Sequence, residues 1–346
     1  MLFGSKNSKN IDELKIVECI SRFFELPIAS VEGWIQVKKG TVKVTLPFAS
    51  KSLHDELIKQ IRLSAEDTKL TISIDTQIAS VPTKIAKIPN VKNVIAVASG
   101  KGGVGKSTTS VNLAFALMAE GAKVGILDAD IYGPSIPIML GNPTAKPSSK
   151  DNKKVEPISA HGVVASSLGY FVPAEDATVW RGPMASKALH QLINETAWPE
   201  LDYLIVDMPP GTGDIQLTMA QQVPLSGAVV VTTPQDLALA DAIKGIAMFN
   251  KVNIPVLGLV ENMSYHLCSQ CGHKEAIFSE QGGDKLSEKY NLPLLGKLPL
   301  NIDIRHHADS GQPIQVSNPE HALSEVYRQL ARQTAKYCYL KSVQIA

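Results

Sequence analysis

The sequence predicts an α/β protein: a mostly parallel, doubly wound sheet preceded by a small α+β unit. Three observations carry that expectation. From Asn93 onward, short runs rich in Val, Ile and Leu (NVIAVAS, KVGILD, DYLIVD, GAVVVTT, IPVLGLV, LPLLGKL) alternate with helical segments, as in a parallel sheet covered on both faces. A glycine-rich stretch, Gly100 to Gly105, falls between the first of these runs and a helical segment over 106–120. The first ~80 residues instead follow the order αββαβ.

In that first unit, Ile11, Leu14, Ile16, Val17, Ile20, Phe23 and Phe24 recur at helical spacing. Trp34 to Val37 and Val42 to Leu46 read as strands joined by a turn at Lys39-Gly40. Leu53, Leu57, Ile58 and Ile61 mark a second helix, and Leu70 to Ile74 alternates as a strand. The stretch 79–92, with two prolines, three lysines and weak periodicity, reads as a linker. The expected organisation is a domain over 1–80, a linker over 81–92 and a larger domain over 93–346. The Pro, Ser and Lys-rich stretch 142–154 is expected to be a surface loop.

Composition narrows the function. Lys and Arg total 34 against 33 Asp and Glu, a net charge of +1 over 346 residues, which leaves no electrostatic footprint for nucleic acid or an anionic membrane. The opening residues MLFGSKNSKN lack the apolar core of a signal peptide, and no run approaches the ~18 apolar residues that span a bilayer. A cytoplasmic protein is expected, with neither nucleic acid nor membrane as partner. Of the four cysteines (Cys19, Cys268, Cys271, Cys338), only Cys268 and Cys271 have a spacing suited to metal or redox chemistry. Cys19, inside the first amphipathic helix, reads as a buried structural thiol.

Gly100-Lys101-Gly102-Gly103-Val104-Gly105-Lys106-Ser107 fits G-x-x-x-x-G-K-S, after a buried strand and before a helix. Glycines let backbone N–H groups turn inward around phosphate oxygens, and the following helix aims its positive end at the same anion. Lys106 would bridge β- and γ-phosphates of ATP, and the Ser107 hydroxyl, followed by Thr108, would hold Mg²⁺. Gly100, Gly102 and Gly105 also match the dinucleotide pattern G-x-G-x-x-G, with Asp128 downstream. The Lys-Ser pair has no role with a pyrophosphate diester, and Asp207 ends a later strand where nucleotide hydrolases keep a magnesium-linked aspartate. Among the aspartates, Asp130 is the candidate for positioning the attacking water, and Asp128 for supporting metal or loop. Asp214 is as well read as a helix cap.

Lys101 points to a subclass. K-G-G-V-G-K-S-T resembles the deviant phosphate loop of the MinD/ParA and nitrogenase-iron-protein group, a P-loop NTPase group in which the extra lysine reaches the partner subunit's nucleotide. That resemblance implies a homodimer, with Lys101 catalytic in trans beside Asp130 and Asp207. LDADIYGPSIP (127–137), WRGPM (180–184), VDMPPGTGD (206–214), TTPQDLALAD (232–241) and VENMSYHLCSQCG (260–272) together resemble the Mrp/ApbC family of ATP-binding iron–sulfur cluster carriers. The likeness covers about residues 90–340 and implies that Asn262 contacts adenine. The first ~80 residues are similar in layout to the MIP18-like domain, although TLPFASKSL (45–53) lacks the cysteine often found there.

The Cys268/Cys271 spacing lets two thiolates face one metal centre, and iron–sulfur and zinc remain open on spacing alone. His266 or His273 could complete a zinc site, and a redox disulfide would lack a thioredoxin-like setting. The family resemblance implies a [4Fe-4S] cluster shared by two subunits and passed to apo-proteins. The rival functions are a MinD/ParA-like positioning ATPase and a dimeric targeting ATPase with structural zinc. Neither a basic apolar C-terminal helix nor a basic patch supports the first. The second would need a Met-rich insertion that the chain lacks. Tyr265 and His266 read as packing and surface residues, and His306-His307 as part of a polar loop.

Overall fold

The structure is a computed structural model that describes residues 12–38, 40–150, 153–172, 182–268 and 270–345. Ile11, Lys39, Trp180 and Arg181, named above, lie outside them. The chain divides into two compact units, Met1–Ala79 and Ser80–Ala346.

The first unit has the expected element order. Helix α1 (Glu13–Phe24) starts at Asp12, whose carboxylate accepts from the Lys15 N–H, and stops at Glu25 in the left-handed region. Strands β1 (Ile35–Lys38) and β2 (Thr41–Leu46) pair antiparallel; helix α2 (His54–Ser64) then returns the chain so that β3 (Thr71–Thr76) lies parallel to β2. Edge-to-face contacts of Phe48 with Phe24 (5.1 Å) and Trp34 (5.7 Å) fill the core. Cys19 is buried on α1.

The second unit is a nine-stranded sheet flanked by helices. In chain order it comprises β4 (Val91–Ser99), α3 (Lys106–Ala119), β5 (Val124–Asp128), α4 (Ile136–Met139), β6 (Ile158–Ala160), β7 (Val163–Ser167), α5 (Gly182–Glu195), β8 (Leu201–Asp207), α6 (Asp214–Gln222) and β9 (Gly227–Thr232). There follow α7 (Asp236–Lys251), β10 (Val256–Leu267), β11 (Lys274–Glu275), α8 (Gly282–Tyr290), β12 (Leu294–Leu300), α9 (Ile302–Asp309), α10 (Ile314–Ser317) and α11 (Ala322–Ile345). The strand order is β11-β10-β9-β4-β8-β5-β7-β6, with β12 also paired to β10. The pairs from β10 to β7 are parallel, and β6 and β11 join antiparallel. The central strands are buried on both faces, which is why they read as unbroken apolar runs; β4, β8 and β9 supply Ile95, Ile205 and Val229 at 0 % exposure.

Two sequence readings change, and one pairing is new. The stretch read as a linker is irregular but packed: Val81 and Ile88 are buried, and the Val81 N–H donates to Asn93 Oδ1 (2.9 Å). It groups with the second unit. His306 and His307 lie in the last turn of α9, which Asn301 caps by accepting from the Asp303 N–H, rather than in a loop. The antiparallel pair β6–β7 had no counterpart in the sequence reading. The C-terminal helix α11 packs against α3 and β12 through Leu323, Tyr327, Leu330, Ala331 and Cys338. Beneath it, the buried carboxylate of Glu120 at the end of α3 takes a 2.8 Å hydrogen bond from Arg332. Among the described residues, no helix is long and apolar enough to cross a membrane.

Candidate nucleotide and thiol sites

The sheet places its chemistry at the carboxyl ends of its parallel strands. Strand β4 lies between β8 and β9 while its sequence successor β5 lies beyond β8, so the crossovers leave a crevice above β4. The loop 100–105 fills that position and leads into α3, whose first residue is Lys106. Gly103 and Gly105 adopt φ of +81° and +82°, and a Cβ on Gly100 would overlap the Asp241 backbone on α7. Those positions therefore require glycine. Around Gly102 and Gly103 the space is open, the room that a phosphate group needs.

Four predicted residues converge below the loop. Lys106 is 6 % exposed, and its Nζ lies 2.9 Å from Asp207 Oδ2 and 3.5 Å from Asp130 Oδ2. The Ser107 hydroxyl donates to Asp207 Oδ2 (2.6 Å). Asp128 is held differently: its carboxyl accepts from the Ser167 hydroxyl (2.9 Å) and the Asp130 and Ile136 N–H groups. It thus anchors the turn 129–136 rather than facing Lys106 directly. Burial, then the Asp207 charge, push the Asp128 carboxyl up to about 8. Burial also raises Asp130, against the pull of the Lys106 ammonium. Lys101 is half-buried and outside this cluster, and Asp214 is exposed in the first turn of α6.

Two contributors escaped the sequence reading. Ser110 donates to Asp207 Oδ1 (2.6 Å), so serines one helical turn apart grip both oxygens of one carboxylate. Its signal was the i, i+3 spacing from Ser107 on a helix. Ser167, which orients Asp128, comes from β7 and left no local signal. Asn262 reaches the loop itself: its side-chain amide donates to the Val104 carbonyl (2.8 Å), and a Cβ on Gly105 would overlap it.

The donor set suits a magnesium-bound nucleotide. Ser107 and Asp207 offer hard oxygen ligands, and a magnesium ion commonly takes one or two carboxylates and completes its shell with phosphates and water. Among the described residues, no group of three or more His, Cys, Asp or Glu is placed to hold a metal ion alone.

The thiol pair sits elsewhere. Strand β10 runs on from the nucleotide end to Leu267, the chain turns through Cys268 and Cys271, and β11 returns antiparallel with Leu267 opposite Lys274. The turn is closed by the Cys268 N–H donating to the His273 carbonyl (2.9 Å) and the Gly272 N–H to the Cys268 carbonyl (2.8 Å), with Gly272 at φ +71°. Backbone N–H groups of Gln270 and Cys271, then the Cys271 thiol, hold the Cys268 thiol below its ordinary range. By contrast Cys19 and Cys338 are buried, and burial pushes Cys338 up to about 12. Neither His266 nor His273 joins the two thiols in a three-ligand group.

Loop, lysine and aspartates on this sheet define a P-loop NTPase of the kind with a second lysine in the phosphate loop. More narrowly, residues 90–335 match the family described as ParA, NUBPL iron-transfer P-loop NTPase, and the chain belongs to that family. The iron-sulfur cluster carrier protein of Escherichia coli K12 is 56 % identical over 306 residues, covering 86 % of this chain and 82 % of the relative. A nucleotide-binding protein from Archaeoglobus fulgidus, solved with ADP, is 36 % identical with a TM-score of 0.61, covering 70 % of this chain and 94 % of its own. The Pyrococcus furiosus cell division ATPase MinD shares the fold at 20 % identity and a TM-score of 0.51, over 70 % of this chain and 98 % of its own.

Proposed function

We propose that the protein is an ATP-hydrolysing iron–sulfur cluster carrier that works as a homodimer in the cytoplasm. One observation carries the reading most: strand β10 brings Asn262 to the phosphate loop and ends at Leu267, directly before the turn that holds Cys268 and the exposed Cys271. The names of the relatives favour a carrier over a positioning ATPase of the MinD kind.

In this reading Gly100 to Thr108 and Lys106 bind the phosphates, Asn262 lies toward the base, and Ser107 and Asp207 hold Mg²⁺ with Asp128 in support. Magnesium held there would supply charge neutralisation at the phosphates. Asp130, at the rim of the cluster and 13 % exposed, orients the attacking water. Lys101 of one subunit stabilises charge at the partner's nucleotide.

The cargo is a [4Fe-4S] cluster held by Cys268 and Cys271 of each subunit, because such a cluster needs four thiolates and one chain offers two at this turn. Cys271 is exposed, so thiolates of an apo-protein can displace those of the carrier at iron, one for one. Anaerobic reconstitution tests the reading: about two irons and two sulfides per chain are expected, with loss of both in Cys268→Ala or Cys271→Ala and retained ATP binding. Zinc without labile sulfide would transfer the protein to the targeting-ATPase class.

A further inference from the structure

Between the phosphate loop and the thiol pair, β10 is irregular. Its residues Glu261 and Tyr265 face Lys297 and Pro299 on β12, so a four-residue step opposes a two-residue step. The surplus forms a bulge over Asn262, Met263 and Ser264, and Met263 adopts φ +55°, a conformation that side-chain-bearing residues rarely take. The base of the bulge is fixed: the buried Glu261 carboxylate accepts from the Ser264 hydroxyl and from the Gly283 N–H opening α8. Its top is tied to the loop by the Asn262 amide on the Val104 carbonyl. Beyond it, Tyr265 and His266 pair again with β12, and Cys268 follows three residues after Tyr265.

We propose that Asn262 is a positioning residue for the thiol pair, and that the bulge at Asn262–Ser264 transmits the state of the phosphate loop to Cys268 and Cys271. The inference rests on the carrier reading for its purpose and deepens it, by naming the device through which nucleotide governs cargo. Val104 and Gly105 lie in the loop that would wrap a bound phosphate, and Asn262 is hydrogen-bonded to one and packed on the other. A shift of that loop displaces Asn262. With Glu261 clamped, the displacement is taken up at Met263 and passed along the outgoing strand. Bulges of this kind re-aim the chain that leaves them.

The test uses full-length, metal-free protein, so that it stands apart from cluster content. Alkylation of Cys268 and Cys271 by iodoacetamide is timed by peptide mass spectrometry, without nucleotide and with saturating magnesium and the imido analogue of ATP. The burial of Cys19 and Cys338 leaves the pair as the reactive sites. Wild-type protein is expected to change its rate about fivefold or more on binding the analogue, the lower end of ordinary inter-site coupling. Asn262→Ala, which cuts the tie, and Met263→Gly, which relaxes the bulge, are each expected to reduce that ratio below about twofold at saturation. Saturation is titrated separately for each variant, and Met263→Gly leaves the tie to Val104 in place. No rate change in saturated wild-type protein, or the wild-type ratio persisting in either variant, overturns the proposal. The carrier reading stands or falls separately, on iron and sulfide content.

Discussion

Replacing Lys106 by Met removes the cation from a nearly dry cluster. Lys106, Asp207 and Asp130 are 6 %, 0 % and 13 % exposed at the side chain, and the two contacts are 2.9 and 3.5 Å. Removing one partner of such a buried pair costs about 3–5 kcal/mol, because the surviving charge is left without compensation. The cost depends on pH, with a sign fixed by the carboxyls. Burial raises both Asp128 and Asp130, and in each case Lys106 opposes the rise. A carboxyl raised in the fold keeps a proton that the unfolded chain releases near its ordinary value of 3.8. Its stabilising proton is therefore fully effective below that value and lost as the pH climbs through the folded value, about 8 for Asp128. Without Lys106 the carboxyls shift further upward. Urea unfolding of nucleotide-free Lys106→Met should show a loss of about 3–5 kcal/mol at pH 8, shrinking to below about 2 kcal/mol near pH 5.5 as the carboxyls take up protons. An equal loss at both pH values would show that Lys106 acts by packing and not by charge.

Ser110→Ala deletes one short hydrogen bond to the Asp207 carboxylate, worth about 1.5–3 kcal/mol, and should lower kcat for ATP hydrolysis about tenfold with KM within about threefold. A kcat within about twofold of wild type would remove Ser110 from the site. A chain started at Ser80 should unfold cooperatively, and one started at Asn90 should be less stable by about 3–6 kcal/mol, the burial energy of Val81 and Ile88; equal denaturation midpoints would return that stretch to the status of a linker. Glu120→Ala removes the buried carboxylate that pairs with Arg332 and should destabilise the α3–α11 contact by ~3–5 kcal/mol, read as earlier hydrogen exchange along α11.

What the sequence made legible was what lies contiguous along the chain. The phosphate loop is eight consecutive residues whose types and order match one backbone conformation, and the thiol pair is set by a spacing of three. The αββαβ order of the first unit was readable because its helices and strands differ in period. Contacts made across the sheet were not. Ser167 reaches Asp128 from 39 positions away, and only the β5–β7 pairing brings them together. The apolar run of β10 was read as ending at Val260, whereas the strand continues through ENMSYHL to Leu267, because a bulge destroys the alternation on which a strand is recognised. Val81 and Ile88 were hidden among prolines and lysines, since single apolar residues in irregular chain carry no periodic signal. The hairpin at the cysteines rests on a two-residue strand, Lys274–Glu275, too short for any pattern.

The ends of the large sheet bear on how copies of this chain can meet. One end stops at β6, three residues long and antiparallel to its neighbour. At the other, β11 has two residues, and β12 carries Pro299, which has no N–H to offer. A stack of long parallel strands with open flanks would be a template for fibrous growth; here one flank is a three-residue strand, and the other is interrupted by the two-residue β11 and by the proline in β12, features that disfavour a further chain adding in register. Lateral extension of the sheet is disfavoured at both flanks. The long central strands β4, β8 and β9 therefore stay internal to one molecule, screened by flanks whose strands are short or broken by proline.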